Sequence, residues 1–172
     1  MSDPPSARQG APLHLPRHAL KVALLQPQIA PNTGNIARLC VATGTALHLA
    51  RPLGFVLSDK ERRRSAMDYW PRLKLTVHDD TAALLAHAPS DSCWLFSSKA
   101  QRPLWDAEFR DGDWLVFGSE THGIDEALVV EHAAARRALR IPQVEGERCL
   151  NLSTSVGVAL YEALRQVGGA RG

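Results

Sequence analysis

Apolar and polar positions come in alternating blocks along this chain. Residues 20–26 (LKVALLQ) form a nearly unbroken apolar run of strand length, which predicts a buried strand. Residues 33–43 place apolar side chains at helical spacing and stop at Gly44, a residue suited to closing a helix. Further strands are predicted at 46–50 (ALHLA), 72–78 (RLKLTVH), 93–98 (CWLFSS), 113–120 (DWLVFGSE) and 137–142 (RALRIP). Helices are predicted at 79–88, at about 125–135 and at about 153–166. Residues 58–67 (SDKERRRSAM) predict a polar helical turn capped by Ser58 or Asp59. Strands alternating with helices predict an α/β fold, a mostly parallel sheet flanked by helices. Residues 1–18, rich in Pro, Ser, Gly and Arg without periodicity, are expected to be a disordered tail. The expected organisation is that tail, one domain over 19–168 and a flexible end at 169–172.

Composition narrows the class without fixing the function. The chain has 172 residues, 45% of them hydrophobic and 22% charged, with a net charge of +2. One domain with a substantial core fits that length, and the mild positive balance tolerates a polyanionic partner without requiring one. No apolar run is long enough to span a bilayer, and the N-terminus lacks the apolar stretch of a signal peptide. The 3 cysteines are odd in number and far apart. A disulfide framework or a metal site is therefore not expected, and a reducing cytoplasm is.

Three stretches stand out where predicted strands end, the place where parallel α/β sheets bind ligands. The first is PNTGNIAR (31–38), with two asparagines, a glycine and Arg38 one turn past Gly34. The second is FGSETHG (117–123), with Gly118 free of side chain and Glu120 at the mouth of the sheet. The third is CLNLSTS (149–155), where Asn151, Ser153, Thr154 and Ser155 open a helix that otherwise reads as core. One cap residue would satisfy such a helix start, so four polar groups exceed the need. Capping and solvated loops would explain each stretch alone; three together point to a site. Neither G-x-G-x-x-G nor G-x-x-x-x-G-K-[ST] occurs, and GSE is not G-x-S-x-G. Dinucleotide, P-loop and esterase chemistries thus lack their key residues.

In this order, NTGNIAR, FGSETHG and IPQVEGERCLNLSTSVGVALYEA (141–163) resemble the motifs of the SPOUT superfamily, SpoU branch, of RNA 2′-O-methyltransferases. The likeness spans about residues 20–167. The short chain and DKERRRSAMDYW (59–70) resemble the small TrmL-type enzymes, which methylate the wobble ribose, on cytidine or a modified uridine, of certain leucine tRNAs. The resemblance implies a C-terminal deep trefoil knot, S-adenosylmethionine as methyl donor, tRNA as substrate, a homodimer with a shared site, and no metal.

It also implies roles for particular residues. Arg38, Asn32, Glu120, Asn151 and Ser153 would serve catalysis. Arg38 would grip the phosphate and the developing alkoxide, because a guanidinium stays protonated and makes an awkward base. Phe96, Gly118, Ile141, Cys149 and Leu150 would hold the methyl donor, largely through backbone groups. Arg62, Arg63, Arg64 and Tyr69, beside Lys60 and Trp70, would hold RNA by phosphate pairing and base stacking. Tyr161 would meet the partner subunit. A non-catalytic RNA-binding module of the same fold, and an enzyme acting on another tRNA position or on ribosomal RNA, are the competing readings.

Overall fold

The computed structural model describes residues 15–57 and 70–169. The polar turn expected at 58–67, and with it Arg62, Arg63, Arg64 and Tyr69, lies outside the described residues. Seven strands form one sheet: β1 (Lys21–Leu25), β2 (Ala46–Ala50), β3 (Leu75–His78), β4 (Cys93–Phe96), β5 (Arg102–Pro103), β6 (Trp114–Phe117) and β7 (Ala138–Arg140). Their order across the sheet is β3-β2-β1-β6-β4-β7-β5, and every pairing is parallel. Among the described residues four helices cover it, α1 (Ala30–Thr43), α2 (Thr81–His87), α3 (Glu126–Ala134) and α4 (Leu152–Gly169).

Alternation along the buried strands sends successive side chains to opposite faces. Val22, Leu24, Leu47, Leu49, Leu115 and Phe117 face α1 and α4, meeting Ile36, Cys40, Val156, Leu160 and Leu164. Ala23, Leu25, Trp114 and Val116 face the other way, with Leu84 of α2 and Val129 of α3 packed in the same cluster. The apolar positions of the closing helix, Val156, Ala159, Leu160, Ala163 and Leu164, are thus buried within the chain itself. Tyr161, on the same helix, is 53% exposed.

The expected α/β architecture is present, with shifts at its edges. Helix α1 begins at Ala30, earlier than the periodicity suggested, because Pro31 falls in its first turn, where the missing N–H costs nothing. Gly44 closes it at φ 77°, its N–H and that of Thr45 returning to Val41 and Cys40 carbonyls. The strand expected at 72–78 is shortened to Leu75–His78 by a 3₁₀ turn over Trp70–Arg72. The two-residue strand β5 carries no alternation to reveal it. Residues 1–14 lie outside the described part, while His18 reaches the Thr43 carbonyl at 2.8 Å.

Strand order turns about β1. Strands β2 and β3 follow on one side, and β6 lies on the other. Such a reversal opens a crevice at the carboxyl ends of the central strands.

Candidate active site

The crevice is a cavity of about 620 Å³ at the carboxyl ends of β1, β6, β4 and β7. Three loops line it: residues 97–99 after β4, 118–124 after β6, and 141–150 after β7. Its floor includes Phe96 and Phe117, whose rings stack 4.6 Å apart at 9°. Gly118 is required by close approach. A Cβ there would run into the backbone of Gly123 and Ile124, because the loop folds back through paired Ser119 and Gly123 N–H···O=C bonds. Gly123 itself sits at φ 69°. All five residues expected to hold the methyl donor, Phe96, Gly118, Ile141, Cys149 and Leu150, line this one cavity.

One hydrogen-bonded chain ties the three polar stretches together. Asn151 precedes α4 and caps it, its Oδ1 accepting from the Ser153 N–H at 2.8 Å and the Ser153 hydroxyl at 2.7 Å. Its Nδ2 donates to Asn32 Oδ1 at 2.9 Å. Asn32 Nδ2 donates to Glu120 Oε1 at 3.1 Å, and Glu120 Oε2 accepts the Gln28 N–H at 2.8 Å. The ends of the chain fix both amide orientations, because Glu120 and the Ser153 N–H each have a single possible polarity. Asn32 is 7% exposed, so its amide has little recourse to water. The cap is therefore Asn151 and not Ser153, whose hydroxyl is spent on the Asn151 side chain.

Arg38 is exposed on α1, roughly two turns beyond Asn32, and does not line the cavity. Four of the five residues expected in catalysis thus share one network, and Arg38 stands apart from it. Ser97, Lys99, Arg140 and Arg148 also line the cavity; of these and Gln28, only Arg148 falls within a motif, that of 141–163. Gln28 acts through its backbone, and Lys99 pairs with Glu126 at 2.9 Å. Among the described residues no group of three or more His, Cys, Asp or Glu could hold a metal ion.

Residues 19–161 match the SpoU rRNA Methylase family. The chain belongs to that family. Among curated SpoU relatives, the tRNA (cytidine(34)-2'-O)-methyltransferase of Burkholderia pseudomallei is 44% identical over 149 residues, 86% of this chain and 95% of the relative. The protein of the same name from Escherichia coli K12 is 40% identical, over 87% of this chain and 94% of its own length. A solved structure concerned with the 2-OH methylation of C/U34 on tRNA superposes with a TM-score of 0.77 at 44% identity, covering 88% of this chain and 98% of that one. The SpoU methyltransferase AviRb of Streptomyces viridochromogenes, solved with AdoMet, shares the fold at a TM-score of 0.72 and 21% identity, over 95% of this chain and 62% of its own.

Proposed function

We propose that this SpoU methyltransferase transfers a methyl group from S-adenosylmethionine to the ribose 2′-hydroxyl of the wobble nucleotide, cytidine or a modified uridine, of tRNA, with leucine tRNAs as substrates. The observation that carries this reading is the Ser153–Asn151–Asn32–Glu120 chain, of which Asn151, Asn32 and Glu120 line the loop-built cavity. Relatives 40–44% identical, matched over 94–95% of their own length and named tRNA (cytidine(34)-2'-O)-methyltransferase, support it.

The cavity suits the donor. It offers backbone groups from three loops, the apolar side chains of Ile29, at 44%, and Leu150, at 40% exposure, and a glycine wall at Gly118. S-adenosylmethionine supplies the sulfonium methyl. The work of this chain is to bring the 2′-hydroxyl in line with it and to steady the charge that develops on oxygen. Asn32, held between Glu120 and Asn151, has a fixed amide on which a ribose can be registered. Arg38 grips the neighbouring phosphate in a bidentate fashion and stabilises the alkoxide. In this reading the enzyme is a homodimer with a shared site, α4 in a trefoil knot at the interface and the exposed Tyr161 facing the partner.

No helix among the described residues is long and apolar enough to cross a membrane; the cytoplasm is the compartment that fits a tRNA substrate. Purified protein given labelled S-adenosylmethionine with total tRNA, and in parallel with ribosomal RNA, should methylate position 34 of leucine tRNAs, read by mapping the modified nucleotide. Tight RNA binding with no label on any tRNA would leave the non-catalytic module as the answer, and label only on ribosomal RNA would move the substrate.

A further inference from the structure

The loop that follows β2, residues 51–55 (RPLGF), sits against the turn that follows β1. Gln26 leaves β1 in the left-handed region at φ 52°, a conformation costly for a residue with a side chain. It is held there from both sides. Its N–H donates to the Ala50 carbonyl at 3.1 Å, and its carbonyl accepts the Gln28 side-chain amide at 2.8 Å. The next carbonyl, that of Pro27, accepts the Gly54 N–H at 3.0 Å. At Gly54 the two segments touch with no room for a side chain. A Cβ would stand 2.5 Å from the Gln28 carbonyl oxygen, 2.6 Å from its Cα and 2.7 Å from its Oε1. Two of these are backbone atoms, so the crowding cannot be relieved by a rotamer change. Gln28 is also the residue whose N–H holds one oxygen of Glu120 at 2.8 Å, while Asn32 holds the other.

We infer that Gly54 is a positioning residue for methyl transfer: by letting the 51–55 loop close onto Gln28, it sets the N–H that aims the Glu120 carboxylate at Asn32. The inference rests on the methyltransferase reading above. Gly54 does not line the cavity and meets the network only at Gln28, through whose backbone it acts.

The test is a double-mutant cycle on the full chain, with Gly54→Ala, Glu120→Gln and the pair. Gly54→Ala should lower kcat at least tenfold while the Kd for S-adenosylmethionine stays within about twofold. The pair should be no slower than the slower single variant, because both disable one carboxylate. A loop that merely supports the fold would instead give losses that multiply, or lower donor binding and melting temperature with kcat intact; either result overturns the inference. The Gln28 amide proton resonance gives a readout that needs no activity: it should move in each single variant and move no further in the pair. A wild-type protein that methylates nothing would sink the function and still leave this resonance to decide the coupling. If Gly54→Ala proves insoluble, Gln28→Pro deletes the N–H at its source and takes its place in the cycle, where multiplied losses would again overturn the inference.

Discussion

Asn151 Nδ2 donates to Asn32 Oδ1 at 2.9 Å, joining residues 119 positions apart. The same Asn151 spends its oxygen on the first turn of α4. One side chain therefore both starts the last helix and presses the first helix's asparagine toward Glu120. Asn151→Asp separates these two jobs. The aspartate keeps the cap, and as an anion at a helix N-terminus it should hold or slightly raise stability. It turns the group facing Asn32 Oδ1 from donor to acceptor, so the Asn32 amide must flip away from Glu120. The expected outcome is a melting temperature within a few degrees of wild type and a fall in kcat of about 10²-fold, the scale of losing one preorganised hydrogen bond at a reacting centre. Asn151→Ala should cost about 1 kcal/mol of stability in addition, read by urea denaturation.

The path from sequence to this site was legible in parts. The polar excess at 151–155 marks the stretch as holding more groups than capping needs, and Asn151 does cap while also reaching Asn32. Glycine at 118 suggests a backbone open to a ligand, whereas the close approach found there is that of the loop's own Gly123 and Ile124. What could not be read was the partner of each group. The Gln28 contribution is a backbone N–H, which any residue but proline would supply. Strand β5 has two residues, too few for a period, and its place at the edge follows from pairing with β7 alone. Arg38 enters the catalytic set only through its resemblance to the family's arginine, and it lies exposed on α1, outside the lining of the cavity.

Arg38 supplies a second prediction. A lysine keeps the charge but loses the planar fork that binds a phosphate through two parallel bonds. Arg38→Lys should therefore reduce kcat at least tenfold, with the donor's Kd unchanged because Arg38 does not line the donor cavity. Near-full turnover in that variant would show that a point charge suffices and that the bidentate role is wrong.

The three thiols should separate sharply in reactivity. Cys40 and Cys93 are buried, and burial pushes both thiols up to about 12, leaving almost no thiolate at neutral pH. Cys149 is exposed and lines the cavity. Titration of the native protein with a chromogenic disulfide should give one fast thiol, assigned to Cys149 by its absence in Cys149→Ser. Saturating S-adenosylmethionine should slow that reaction, and the mixed disulfide should block donor binding by bulk. Cys149→Ser should itself remain active, since methyl transfer to a ribose oxygen needs no covalent enzyme intermediate.

The far half of the sheet supplies a pH dependence. His48 of β2 is 8% exposed, shares a 3.0 Å hydrogen bond with His78 of β3, and lies against the Trp114 ring at 4.4 Å. Burial first, then the neighbouring His78, His87 and Lys21, lowers its pKa to about 4. His78 is lowered as well, by burial and by His87, with Asp79 opposing. In the unfolded chain a histidine titrates near 6.5. Between that value and 4 the unfolded state binds a proton that the folded state refuses, so stability is complete above about pH 6.5 and falls as pH drops toward 4. For His48 the loss is on the order of 3 kcal/mol across that window. Urea denaturation at pH 7 and pH 5 should show about 2 kcal/mol of it, and His48→Gln, which cannot titrate, should flatten most of that difference. An unchanged slope in His48→Gln would place the titrating group elsewhere.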